Sequence, residues 1–580
     1  MTTKLMRVVG VFFLATVGFA QQAWVAKSNA NAQILIALGA KYGPEGASAQ
    51  GVPGLDEQIS TFAADGVQKL RADTVRAGEE LKAKLAAEKD PLVRQDLQIL
   101  IGVTERRIRG IDANEKTFLP YGSVASLVFF GEKSLLDDQV KAERRPAALI
   151  RLRKYTGLEP GFTPVTQQAE ARFLAKAKTP GLLGPARQEV EKDLENTGTY
   201  ITGIALLLEK YNLKGYQEAL AKLREQLTEY DEFVRREVLP KSRSDFRLPP
   251  AIYRAALENY GVDYTPEELT RLAHAAFTDF QQQMQVIAVR VAKERKLPSS
   301  DYRAVIRELK KEQFSGKDIL PKYEATLKQI EEIIRKNHLV TLPERPAIIS
   351  IATAAETAQQ PAPHMQPPPL LNNLGERGKF VLPLDMKGAG GAELKYDDFT
   401  FAAAAWTLTA HEARPGHELQ FDSMVEHGVS LARALFAFNS TNVEGWGLYA
   451  EWFMLPYMPD EAKLISLQFR LLRAARAFLD PELQAGTITP EQAMKVLQDD
   501  VAGSKAFATE EVDRYTFRSP GQAVSYFDGY TRILAIRQDA EKALGPKFEV
   551  GKFHDFMLSQ GLLPPELMRK AVMEDFVAKQ

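Results

Sequence analysis

No cysteine occurs anywhere in the 580 residues. That absence excludes disulfides, thiolate metal ligands, a cysteine nucleophile and a lipid carried on an N-terminal cysteine. In an oxidising compartment the fold must then stand on its core alone, which a chain of this length can supply. An excess of charge of either sign is also missing. The 74 Lys and Arg stand against 75 Asp and Glu, so the balance points neither to nucleic acid nor to an anionic membrane as partner. Long apolar runs are lacking too: the run Val8 to Ala20 falls short of the roughly 20 residues of a transmembrane helix, and no later stretch approaches that length. Preceded by Lys4 and Arg7 and ending in small residues, segment 1–20 reads as a secretory signal peptide, which implies a periplasmic or secreted protein.

What is present is an ordinary globular balance, 45% apolar and 26% charged, too long for one core and suited to a few lobes. From about Gln33 to Pro240 the pattern is helical; Tyr216, Leu220, Leu223, Leu227, Tyr230 and Val234 recur at three and four residues and share a face. Breaks fall at Pro53, Asp90 with Pro91, Pro120, Pro160, and Pro180 with Gly181. A second region begins near Leu248–Pro250. The division expected is an N-terminal helical region over 21–245 and a catalytic helical region over 246–580. Within the latter, two β-like runs, 347–353 (AIISIAT) and 379–384 (KFVLPL), flank a proline-rich stretch read as a rigid surface connection. The fold class expected is mainly α, with a small β-sheet just before the most informative helix.

That helix lies in DDFTFAAAAWTLTAHEARPGHELQF, whose acidic residues suggest a cap and whose alanines favour helix. A zinc peptidase commonly spaces two histidines four residues apart, so that both imidazoles share a helix face. Here His411 and His417 are six apart, roughly 240° around an unbroken helix. Pro415 and Gly416 supply the remedy, since proline removes a helical hydrogen bond and glycine relaxes the backbone, so a kink should swing His417 back. Catalytic zinc takes three protein ligands and leaves a position open for water. The third is read as Glu444, in NVEGWGLYAE. Glu451, seven residues on, shares its face and would orient a ligand histidine from behind. Gly445 and Gly447 cost helix stability unless a neighbour approaches closely. Among the other histidines, His274 is expected half-buried, His338, His427 and His554 on surfaces, and His364 as a candidate substrate contact.

With HEARPGHELQ, VEGWGLYAE and SPGQAVSY in order, the chain resembles the bacterial family labelled domain of unknown function 885, over nearly all of its length after the signal segment. The resemblance implies a multi-helix, zinc-peptidase-like architecture of the glutamate-zincin group. It implies Zn2+ on His411, His417 and Glu444, and Glu412 as general base. Position 418 departs from the family, holding Glu where a second histidine is frequent. In the third motif, the need for an oxyanion donor makes Tyr526 the first candidate, as a catalytic residue, and Tyr530 the second, against packing roles for both. Arg514 is a candidate for holding a substrate carboxylate, against an ordinary ion pair. KFVLPL, with Pro383, suits an edge strand that pairs with an extended substrate.

The function expected is therefore zinc-dependent hydrolysis of oligopeptide bonds by activated water, with Tyr530 and Arg514 on the substrate. A hydrolase of a non-peptide amide or ester is one rival. A non-catalytic helical metal-binding protein is the other, and Glu412 argues against it, since a structural site would not require a base.

Overall fold

The computed structural model describes residues 23–387 and 393–579; the segment 1–20, read above as a signal peptide, lies outside them. The chain is mainly helical with a small three-stranded sheet. The helical periodicities reappear as buried faces. The helix Gln217–Phe233 buries Leu220, Leu223, Leu227 and Tyr230, and the helix Pro91–Thr117 starts where the Asp90 carboxylate accepts from the backbone N–H of Leu92 and Val93. The largest apolar cluster draws on residues from Tyr253 to Phe576. A second runs from Ile59 to Val238 with Ala355 added, and a third from Ala32 to Ile101 with Ala432 added.

The elements around the site are α1 (Arg187–Lys210), α2 (Pro266–Arg295), α3 (Ala402–Glu412), α4 (His417–His427), α5 (Ser440–Met454), α6 (Asp460–Ala485) and α7 (Val524–Leu544). Helix α6 is the axis of the larger lobe, buried nearly all round, with α2, α3 and α7 packed along it. A helix buried on every side is normally apolar throughout. This one carries Arg470, Arg473 and Arg476, each at most 4% exposed.

Strands β1 (Ile348–Ile351), β2 (His364–Gln366) and β3 (Lys379–Leu382) form the sheet in the order β1-β3-β2. Strand β3 pairs in parallel with β1, Ile348 opposite Lys379, and antiparallel with β2, His364 opposite Val381. Two expectations are corrected here. The KFVLPL strand is central and has no free edge; its four strand residues are buried, and Pro383 lies beyond its last paired residue. The proline-rich stretch is no mere surface connection: it contains the edge strand β2. A further pair, β4 (Asp385–Lys387) with β5 (Glu393–Lys395), follows. The acidic cap is also corrected. Phe401 occupies the N-cap of α3 with no side-chain bond, and Asp397 and Asp398 instead hold the buried Lys310 ammonium.

Candidate metal centre

His411 and Glu412 close α3, and His417 opens α4. Instead of a kinked helix there is a full stop. Ala413, at φ −99° and ψ −108°, leaves the helical region, and the chain turns through Arg414–Gly416 before winding again. Only glycine fits at 416, because a Cβ there would stand 1.8 Å from the His411 carbonyl oxygen. The turn is tied on both sides. The buried Arg414 guanidinium donates to Glu418, Glu331 and the Arg345 carbonyl, and the Trp446 indole N–H donates to the carbonyls of Pro415, at 3.0 Å, and Gly416. Glu418, in the position where a histidine was noted as frequent, is thus part of this tie.

The break brings the imidazoles together, with ring centroids 4.7 Å apart and planes at 85°. Glu444 Oε2, from α5, lies 3.7 Å from His411 Nε2 and 3.4 Å from His417 Nε2. Metal bonds of about 2.0–2.1 Å at tetrahedral angles separate their ligand atoms by roughly 3.3–3.5 Å. Two imidazoles and a carboxylate at this spacing therefore fit zinc, and the set suits it better than the all-oxygen shells of calcium or magnesium. Among the described residues this is the one group of three or more such side chains close enough to share an ion. Burial alone would raise the Glu444 carboxyl, but the two imidazoles outweigh it and hold the group well below its ordinary range.

Behind these three side chains, His411 Nδ1 lies 2.7 Å from Glu451 Oε1, which fixes the proton on Nδ1 and turns the Nε2 lone pair toward Glu444. Glu451 is held in turn by the Thr407 hydroxyl at 2.7 Å and by Arg473 at 3.4 Å. Gln522 donates to Glu444 Oε1 at 3.4 Å. A Cβ on Gly447 would meet the His411 ring at 2.5–2.9 Å, so that glycine seats the imidazole against α5. Gly445 serves a different contact: with Gly529 it lets α5 and α7 touch backbone to backbone.

Glu412 Oε1 is 4.0 Å from His411 Nε2, beside the three donors. Burial pushes its carboxyl up to about 8, against the pull of His417 and with the push of Glu444. A cavity of about 350 Å3 opens on it, lined by Glu412, His417, Glu444 and Tyr526 together with β2 and Leu370. Phe421, Leu435, Phe438 and Val443 make its remaining wall largely apolar. His364 faces it as well, its Nδ1 2.9 Å from the Ala362 carbonyl. A second cavity of about 460 Å3 shares Glu444, Arg514 and Tyr526 with the first and reaches α1.

Tyr526 thus borders both cavities; its ring lies 6.3 Å from that of His411 and 4.4 Å from the Arg476 guanidinium. Arg514 borders both as well, but its charge is met by Glu510 at 2.9 Å. Tyr530, expected on the substrate, is buried beneath Arg470 and lines neither cavity. One turn along α7 from Tyr526, it is carried away from the opening. His554, expected on a surface, is fully buried between the Tyr449 hydroxyl and the Leu339 carbonyl, and burial lowers it to about 3. His274 is half exposed with one face on Phe478, and His338 and His427 are exposed.

Sequence reasoning missed Gln522, Thr407 and Arg473. For Arg473 a signal existed: three arginines at intervals of three in the apolar run LISLQFRLLRAARAF demand buried partners. For Gln522 and Thr407 no spacing announces the contact.

Residues 44–572 match the family described as "Bacterial protein of unknown function (DUF885)". No curated protein matches the chain significantly. Two solved structures share the fold. One, described as a "putative lipoprotein" from Colwellia psychrerythraea, superposes with a TM-score of 0.76 at 16% identity, over 96% of this chain and 99% of that one. The other, described as a "putative lipoprotein of unknown function" from Shewanella oneidensis, gives 0.68 at 19% identity, over 95% and 100%. At these identities the likeness is one of fold.

Proposed function

We propose, for a chain that belongs to the bacterial DUF885 family, that it is an exported zinc-dependent peptidase with a zinc-peptidase-like helical architecture. The observation that carries this reading is Glu412: a carboxylate buried beside a complete three-ligand set, excluded from that set, and opening on a cavity. A bound zinc supplies a Lewis acid that polarises a carbonyl and acidifies water. The protein's own groups do the rest. Glu412 takes a proton from the attacking water and passes it to the departing amine nitrogen. Its pull toward neutrality by burial is offset when a cation sits against it, which leaves the carboxylate able to accept. The Tyr526 hydroxyl, at the seam of the two cavities, donates to the carbonyl oxygen as that atom gains charge. The Glu451–Thr407–Arg473 group keeps the His411 imidazole in one orientation throughout.

The edge role given in advance to KFVLPL passes to β2. Its outer side pairs with no other strand among the described residues, and it borders the same cavity as His417 and Glu444. An extended peptide added there would pass the metal ligands in one direction. The signal segment and the absence of any helix long and apolar enough to cross a membrane among the described residues fit an exported protein.

The test is elemental analysis of the purified protein with a mixed-peptide digest read by mass spectrometry. We expect close to one zinc per chain and cleavage that a chelator stops and zinc restores. Protein that neither holds nor takes up a transition metal would overturn the reading.

A further inference from the structure

The cavity that Glu444 and Tyr526 border is also lined by charge: Glu189, Lys192, Asp193, Glu510, Arg514 and Arg518. Five of these are already engaged. Lys192 lies 3.3 Å from Asp513, and Arg514 with Glu510 forms the pair at 2.9 Å. Asp193 accepts from the Tyr121 hydroxyl at 3.0 Å, and Glu189, in the first turn of α1, bonds the backbone at Ala186. Arg518 is the exception. Among the described residues its guanidinium has no hydrogen bond or ion pair; Asp193 and Asp513 act on it only at longer range, and the Phe517 ring centroid is 6.0 Å away. Its Nε is buried without a partner.

A guanidinium that has given up water on one side without gaining an acceptor carries a cost, and its best complement is a planar carboxylate held by two hydrogen bonds. Burial raises Glu189 to about 7 and Asp193 to about 6, so these acids oppose an incoming anion less than two full charges would. The other cavity, which also borders Tyr526, has an apolar wall of Phe421, Leu435, Phe438 and Val443. Resting on the hydrolase reading, we propose that Arg518 binds a carboxylate of the substrate, the C-terminal one of a short peptide, while an apolar side chain occupies the cavity beside Phe421 and Phe438. The enzyme then acts near the C-terminus of oligopeptides. The sequence had pointed to Arg514, one helical turn earlier; that residue's charge is spent on Glu510.

Three benzoyl-blocked tripeptides test this: a free acid, its C-terminal amide, and an amide ending in glutamate. The zinc-loaded protein should hydrolyse the free acid at least about tenfold faster than the amide in kcat/KM, as an Arg–carboxylate contact implies. Arg518→Gln should bring that ratio near one, and Arg518→Lys should retain part of it. The same peptides are titrated by calorimetry into zinc-loaded Glu412→Gln and into Glu412→Gln with Arg518→Gln. Tighter binding of the acid only where Arg518 is present supports the inference even without any hydrolysis, and in that case only the hydrolase reading falls. Equal rates and affinities for acid and amide, or no binding of either, overturn the inference; equal rates leave the hydrolase reading standing. If the glutamate amide matches the free acid, the carboxylate site stands and its C-terminal source is overturned.

Discussion

Glu412 and Glu444 are carboxylates buried against the same pair of imidazoles, yet their surroundings drive them apart. Glu444 points between the two Nε2 atoms and is held ionised, whereas Glu412 is displaced toward the cavity and raised by burial. Environments that separate two neighbouring acids assign them different tasks. Glu412→Gln should therefore leave zinc near one per chain while kcat falls roughly 10²–10⁴-fold, the usual weight of a general base. Glu444→Gln should lose the metal itself, as elemental analysis would show. A third buried acid, Asp480 on α6, belongs to the fold. It accepts from the Gly521 N–H at 2.8 Å and the Tyr253 hydroxyl at 2.9 Å, but burial dominates and pushes it up to about 8. The folded state thus holds a proton that the unfolded chain releases near pH 4. Stability from this group is full below the unfolded pKa and is lost at about 1.4 kcal/mol per pH unit as pH rises toward the folded value. Asp480→Asn cannot titrate, so its melting temperature relative to the parent should climb steadily between pH 5 and pH 8. A constant difference across that range would refute the assignment.

The break between α3 and α4 is where sequence and structure are best compared. A six-residue histidine spacing with Pro415 and Gly416 inside it announced a kink, where the structure ends one helix and starts another. It did not announce what anchors the turn, because Glu331, Arg345 and Trp446 lie far along the chain and their roles arise only from packing. Regularising this turn with alanine would break these contacts. Gly416→Ala must displace the His411 carbonyl from 1.8 Å, so both zinc affinity and the melting temperature of the metal-free protein should fall. Gly447→Ala should be more selective, weakening zinc on the order of ten- to a hundredfold by pushing the His411 ring off its seat, with less effect on melting. Other parts were opaque for a definite reason. The sheet strands are short, so that KFVL reads equally as edge or centre, and β2 hides in a proline-rich stretch where a strand signal is weakest. His554 looked like a surface residue because nothing local reveals that Tyr449 and Leu339 enclose it.

At the scale of the whole molecule, the likeness to the two solved structures is one of fold over nearly the whole chain. The fold brings N-terminal helices against the lobe that holds the candidate site, and one buried cluster ties them. Asp96 accepts from Ser28 and Ser430 and pairs with the Arg433 guanidinium at 3.0 Å, with Asp96 and Arg433 both nearly inaccessible. Arg433 also reaches Gln95 and Gln560, and Ala432 joins the apolar cluster of the N-terminal helices. Removing one member of such a pair strands the other charge away from water, which typically costs about 3–5 kcal/mol, while replacing both by apolar groups of similar volume costs far less. Asp96→Ala should therefore lower the melting temperature and speed hydrogen exchange selectively in Ala23–Tyr42 and Pro91–Thr117, with exchange in α6 changed least. Asp96→Leu combined with Arg433→Met should recover much of the loss. If Asp96→Ala is as stable as the parent, or if exchange rises equally throughout, the cluster is not what fastens the N-terminal helices to the larger lobe.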